Sequence, residues 1–102
     1  MVEEQREVIW TTSARHELDD IVAYIARDAP LSALAFLEEV LTCADTLGTL
    51  ARRGRIVPEL QNPRIRELFI KRYRLLYEIG DRAVYVLGLI HGAREFNPDE
   101  TN

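Results

Sequence analysis

Four side chains in the second half of the sequence have the chemistry to bind a phosphate group: Arg66, Arg74, His91 and Arg94. Guanidinium groups bind phosphate through paired hydrogen bonds, and a neighbouring histidine can transfer a proton while arginines stabilise developing negative charge. If the fold brings the four together, they could bind an RNA phosphate or assist its cleavage. A plainer alternative is that Arg74 holds the C-terminus or an acidic helix residue and that His91 is a hydrogen-bonded structural histidine.

Three strands are predicted around these residues. The stretch IRELFIKRYRLLYEI alternates between polar and apolar residues and predicts strands over Ile65–Ile70 and Tyr73–Ile79. The next stretch, AVYVLGLI, is almost wholly apolar and predicts a central strand over Ala83–Ile90, buried on both faces. These strands decide where the candidate side chains project.

Strand periodicity places the arginines on particular faces. A sheet covered by helices has one apolar face and one open face, and we expect Arg66 and Arg74 on the open face or near the sheet edge. His91 and Arg94 follow the last strand and should lie at its end. The sequence therefore permits a cluster of all four side chains without proving it.

The first half of the chain predicts a strand and two helices. A strand over Glu7–Thr11 precedes Thr12 and Ser13, which can cap the first helix. Pro30 separates the two helices, so they should form an antiparallel hairpin. A short extended segment follows at 55–58. We therefore predict an α+β fold: an N-terminal strand, a helical hairpin, and a three- to four-stranded, mainly antiparallel sheet.

Length and composition narrow the possible classes of protein. We expect residues 1–102 to form a single domain with flexible ends at 1–6 and 97–102. No apolar run reaches the ~18 residues of a membrane span, and the first ten residues do not look like a signal peptide. A single cysteine, Cys43, excludes an internal disulfide and fits the cytoplasm. We expect no metal and no cofactor, because the sequence has no HExxH, CxxC or phosphate-binding glycine loop.

The net charge of −4 conceals a basic second half. Residues 1–51 carry ten acids and three bases, whereas residues 52–102 carry seven acids and ten bases, nine of them arginine. Such asymmetry indicates an acidic or polyanionic partner. The alternative is that the arginines pair with acidic residues of the same molecule.

The order and spacing of several segments resemble the RelE/ParE superfamily of bacterial type II toxins. The similar segments are VIWT with ELDDIVAYIARDAP, then LSALAFLEEVL, GRIVPEL, IRELFIKRYRLLYEI and VYVLGLIHGAREF, and they span residues 8–96. The resemblance implies a βααβββ fold and a cognate antitoxin. The flexible C-terminal segment of such an antitoxin lies in the toxin's groove and against its sheet, which gives a hetero-oligomer.

The resemblance leaves two activities open. ParE-like members inhibit DNA gyrase and are not known to need catalytic side chains, whereas RelE-like members are ribosome-dependent mRNA endoribonucleases. In a ribonuclease, Arg74 would match a phosphate-binding arginine on the strand and Arg94 the arginine near the C-terminus, with His91 beside them. In a binding protein, the residues expected to contact the target or the antitoxin are Arg66, Lys71, Arg72, Arg74 and Arg94.

Three departures from the RelE pattern favour the ParE-like alternative. The chain is acidic overall, no tyrosine follows Tyr85, and Lys71 is the only lysine. We therefore expect a plasmid-stabilisation toxin that arrests growth by inhibiting gyrase, with mRNA cleavage as the alternative. A third hypothesis, a degenerate relative that only binds antitoxin, predicts no growth defect when the chain is expressed alone.

Overall fold

The computed structural model of the chain describes residues 5–94 and residue 96. The elements, in chain order, are β1 (Glu7–Trp10), α1 (Thr12–Ala26), α2 (Pro30–Thr46), β2 (Arg55–Ile56), β3 (Ile65–Ile70), β4 (Tyr73–Ile79) and β5 (Ala83–His91). This order confirms the predicted α+β class. The predicted flexible ends lie outside the described residues, apart from Gln5 and Arg6.

The strands form one five-stranded sheet in the order β1-β5-β4-β3-β2. The first strand runs parallel to β5, and the other neighbours are antiparallel. Within the described part of the chain, β1 and the two-residue β2 are the edge strands. The register sets Arg74 opposite both Phe69 and Ile90, and sets Tyr73 opposite His91.

The helical hairpin begins directly after β1. Thr11 keeps an extended backbone, and its hydroxyl accepts a hydrogen bond from the amide of Ala14 at 3.1 Å. The predicted caps, Thr12 and Ser13, are therefore wrong, because the strand ends before Thr11 and this residue is already free to cap. The second helix starts at Pro30, a position where proline costs no hydrogen bond.

Apolar residues cover both faces of the sheet. On one face the helices bury a main core; its fully buried members include Val40, Leu75 and Tyr77. On the other face a smaller core forms from Val57, Ile65, Leu76, Leu87, Ile90 and Phe96. The expectation of an open face is therefore wrong, because the segment after β2 and the side chain of Phe96 cover it.

A buried tyrosine ties the connection between α2 and β2 to the sheet. The hydroxyl of Tyr77 donates to the carbonyl of Ala51 at 2.7 Å and accepts from the amide of Gly54 at 2.9 Å. A Cβ at Gly54 would lie 2.6 Å from that hydroxyl, so only glycine allows the approach. The connection is thereby fixed next to the first residues of β3.

Candidate functional site

Arg74 lies on the sheet face that points away from the helices and is almost completely buried. Its Nη2 donates to Oε2 of Glu59 at 2.9 Å, and its Nη1 donates to the carbonyl of Arg94 at 3.1 Å. Its Nε lies 2.8 Å from Oε1 of Glu67, off the N–H direction, so this contact is an ion pair rather than a directed hydrogen bond. The guanidinium is thus surrounded by acceptors of its own chain.

Glu67 is fully buried and pairs with two arginines. Its second carboxylate oxygen accepts from Nε of Arg55 at 2.5 Å, while the first faces Arg74. The guanidinium of Arg55 also stacks over the ring of Phe69. We call Arg55, Glu59, Glu67 and Arg74 the buried ion cluster after its buried central pair, Glu67 and Arg74; the side chain of Arg55 is 60% exposed and that of Glu59 is 22% exposed. Its two positive and two negative charges balance, which is the usual condition for burying charge.

Glu59 connects this cluster to the C-terminal segment. The same oxygen that accepts from Arg74 also accepts from the amide of Phe96 at 3.1 Å. Burial acts to raise the pKa of Glu59. The amide of Phe96, the residue's own amide and the Arg74 guanidinium together outweigh burial and hold that pKa below its ordinary value. The ionised carboxylate therefore holds the chain after β5 against the sheet.

Four of the predicted residues meet at one end of the sheet, which we call the hairpin end. Lys71 and Arg72 form the β3–β4 turn, and the carbonyl of Arg72 accepts from the amide of Gly92 at 2.8 Å. The other two, His91 and Arg94, follow from β5 and are exposed. Lys71 lies 3.6 Å from Glu39 of α2. This end is therefore basic, although part of its charge is paired.

His91 is held in place at the hairpin end. Its Nδ1 accepts from the amide of Ala93 at 3.3 Å, and its ring packs edge-on against Tyr73, with the ring centres 5.9 Å apart. Arg94 presents its carbonyl to Arg74. The structure thus brings Arg74, His91 and Arg94 into one neighbourhood, but the charge of Arg74 is buried between carboxylates.

Arg66 lies apart from that neighbourhood. It faces the opposite side of β3 from Glu67, stands opposite Tyr77, and lies near the other end of the sheet. Its guanidinium donates to the carbonyls of Pro63 and Gly54 at 3.0 and 3.1 Å. The four residues of the sequence hypothesis therefore do not form a single cluster.

The sequence hypotheses missed Glu59, Glu67 and Arg55. A weak signal exists in β3, where Glu67 shares its face with Ile65, a buried position. An acid in such a position requires a cationic partner, and Arg74 on the next strand supplies one.

A groove runs along the free edge of β1 beside the helices. It has a volume of about 460 Å³, and its lining includes Glu7, Trp10, Leu18 and Leu41. Leu31 and Leu34 continue an exposed apolar stripe from Leu41 along α2, and they are 83% and 52% exposed. An open strand edge beside an apolar stripe is suited to an added peptide segment.

The described residues show neither a metal site nor a membrane-spanning helix. Within residues 5–94 and 96, no three acidic, histidine or cysteine side chains converge to hold a metal ion. None of the helices in that part of the chain has the length and apolarity to cross a membrane.

Comparison with known proteins gives consistent matches. The family model described as ParE toxin of the type II toxin–antitoxin system parDE matches residues 8–96. A toxin named RelE2 from Caulobacter vibrioides is 33% identical over 89 residues, covering 86% of this chain and 97% of that protein. A chain from the chromosomal ParDE system of P. aeruginosa superposes with a TM-score of 0.72 at 19% identity.

That superposition covers 85% of this chain and 96% of the other, and at its low identity it supports the fold alone. The family match spans nearly the whole chain and includes the sheet, the hairpin and the buried ion cluster. The chain therefore belongs to the ParE family of toxins of type II toxin–antitoxin systems, within the RelE/ParE superfamily.

Proposed function

We propose that this toxin acts in the cytoplasm by binding DNA gyrase and inhibiting it without catalytic side chains, and that a cognate antitoxin neutralises it. The observation that carries the proposal is the state of Arg74. A ribonuclease of the RelE kind would use this arginine to bind phosphate, but here two buried or half-buried carboxylates neutralise it. Exposing it to RNA would require breaking the buried ion cluster and releasing the segment at Arg94 and Phe96.

Measuring DNA synthesis after the toxin alone is induced tests this proposal. We expect incorporation of labelled thymidine to fall within minutes while incorporation of labelled amino acids continues. Purified toxin should also inhibit supercoiling by purified gyrase. His91→Ala should leave both effects intact, because a binding mechanism needs no proton transfer. Early loss of translation with DNA synthesis spared would contradict gyrase as the target.

One observation favours mRNA cleavage as the second candidate. His91 is exposed at the hairpin end, where the side chains of Lys71, Arg72 and Arg94 also reach the surface, so a histidine lies among several cations. If the toxin is a ribosome-dependent ribonuclease, His91→Ala and Arg94→Ala should each abolish toxicity and leave the unfolding transition unchanged. Arg74 is unsuitable for this test, since its replacement would disturb the fold.

The groove along β1 and the leucine stripe of α2 are the proposed site for the antitoxin. An extended segment could pair with the edge of β1 while apolar side chains pack on Leu34 and Leu41. We expect Leu41→Glu to weaken capture of the toxin by its antitoxin, because Leu41 lines the groove and is 43% exposed. Leu50→Glu is the matched control, because Leu50 is 49% exposed but lies outside the groove lining. Equal weakening by both substitutions would argue against this site.

A further inference from the structure

A second basic region lies at the opposite end of the sheet from the hairpin end. Four arginines line a cleft of about 370 Å³ there: Arg6, Arg52, Arg64 and Arg66. They come from separate segments, namely the residue before β1, the connection after α2, and the start of β3. Among the residues that line this arginine cleft, Asp81 is the one acid.

Backbone carbonyls hold two of these arginines in place. Arg66 donates from Nε to Pro63 and from Nη1 to Gly54, and also reaches the carbonyl of Arg52 at 3.4 Å. Arg6 donates from Nε to the carbonyl of Gly80 at 3.0 Å. A carbonyl orients a guanidinium but does not cancel its charge, so these groups are positioned in advance and remain positive.

The ion pairs among the described residues do not involve Arg6, Arg64 or Arg66. By contrast, Arg55, Lys71 and Arg74 each face a carboxylate. The cleft therefore concentrates positive charge in an otherwise acidic protein. Such a concave, single-sign surface attracts an anion of opposite charge.

The geometry of the remaining donors favours a tetrahedral anion. Nε of Arg6 and of Arg66 is already used, so neither can grip a planar carboxylate side-on through Nε and Nη. Their remaining N–H groups belong to arginines that line the cleft from different segments. Donors that converge from several directions match the several oxygens of a phosphate. We propose that the arginine cleft binds a phosphate group, carried by a free nucleotide or by a nucleic-acid backbone.

This proposal does not depend on which enzyme the toxin inhibits. Titration of the full chain with inorganic pyrophosphate tests phosphate binding directly. At constant ionic strength, the NMR signals of the amides and Nε–H groups lining the cleft should shift and saturate. Arg64→Glu should weaken binding about tenfold or more, because it reverses one charge in the cleft. Among residues 5–94 and 96, the Arg64 side chain has no hydrogen-bond partner, so this variant should fold. Arg27→Glu makes the same charge change at the end of α1 and should leave the affinity for pyrophosphate unchanged.

Two further probes distinguish the source of the phosphate. A single-stranded oligonucleotide that binds more tightly than ATP and displaces pyrophosphate would indicate a nucleic-acid backbone, and the reverse order would indicate a free nucleotide. The proposal would be overturned by shifts that never saturate, by equal weakening in the Arg64 and Arg27 variants, or by a polyglutamate peptide of equal charge binding the cleft more tightly than pyrophosphate.

Discussion

The two ends of the sheet hold their arginines in different ways. Near the hairpin end, Arg74 and Arg55 face the carboxylates of Glu67 and Glu59 and form a neutral cluster around the buried pair Glu67 and Arg74. At the opposite end, Arg6 and Arg66 are held by backbone carbonyls and line an open cleft. The same residue type therefore builds the fold in one place and leaves a charged surface in the other.

This difference bears on how a basic region should be interpreted. An arginine with carboxylate partners contributes little net charge to its surroundings, whereas an arginine held by carbonyls keeps all of it. Position in a strand does not separate the two cases, since Arg66 and Arg74 both lie in strands of the same sheet. Their partners do.

Breaking the buried ion cluster should give the largest effect. Arg74→Met leaves the buried Glu67 with the largely exposed Arg55 as its one remaining cationic partner in the cluster, and we expect the free energy of unfolding to fall by about 3–5 kcal/mol. Adding Glu67→Gln to Arg74→Met should recover part of the loss, because the buried negative charge is then gone. Urea denaturation followed by circular dichroism would measure both.

Arg66→Met is the matched substitution at the other end of the sheet. It removes hydrogen bonds to three carbonyls, two of them exposed and that of Gly54 partly buried, so the expected loss is about 1 kcal/mol. A loss as large as that of Arg74→Met would contradict the distinction between the two ends.

The hydrogen bonds of Tyr77, which fix the connection that carries Arg52 of the arginine cleft, should be next in their effect on stability. Tyr77→Phe leaves the carbonyl of Ala51 and the amide of Gly54 without their buried partner, at a cost of about 1–3 kcal/mol. Exchange of the Gly54 amide with solvent should quicken more than exchange in β4. The control is Tyr85→Phe, since Tyr85 is exposed and should tolerate the change. Unchanged Gly54 exchange would show that the connection is held by other contacts.

The alternation of polar and apolar residues in the sequence predicted the strands well. The bounds of β3 and β4 agree with those predicted, and β5 extends one residue further, to His91. Periodicity is a local property, and each of these strands packs against a continuous core that imposes it. The helical hairpin was predictable for the same reason.

What covers each face could not be predicted in that way. The segment containing Val57 has no periodicity, yet Val57 is fully buried and closes the second face. The burial of Glu67 depends on Arg55 and Arg74, which are distant in sequence and meet it only when the strands pair. Alternation tells which side chains share a face, but it does not tell which charged groups meet there. The contrast between the two groups of arginines therefore could not be predicted from the sequence.

Two glutamates that contact the chain near β5 should respond to pH in opposite directions. Glu59 has a lowered pKa, so its contribution to stability is present above its ordinary value of 4.5 and is lost as pH falls through the folded-state pKa. For Glu17, burial raises the pKa, against the opposing effects of the Leu89 amide and Arg94, while Asp20 adds to the rise. The folded state then binds the Glu17 proton more tightly, so stability falls as pH rises from 4.5 through that raised pKa.

Urea midpoints measured from about pH 3 to about pH 7 for the wild type, Glu59→Gln and Glu17→Gln would check both signs. Relative to the wild type, Glu59→Gln should be most destabilised near neutral pH, and the difference in stability should shrink in acid. The stability of Glu17→Gln relative to the wild type should increase as pH rises. Differences that are independent of pH would show that neither carboxyl titrates differently in the folded state.

The exposed ion pair at the hairpin end should matter least. Lys71 lies 3.6 Å from Glu39 with both side chains largely exposed, so Lys71→Gln should change the free energy of unfolding by no more than about 0.5 kcal/mol. The backbone of Lys71 has a φ of 55°, a conformation that favours glycine. Lys71→Gly should therefore stabilise the protein by about 0.5–1 kcal/mol although it removes the same charge. If both substitutions destabilise equally, the ion pair contributes more than an exposed pair should, and the charge at this end is better paired than its exposure indicates.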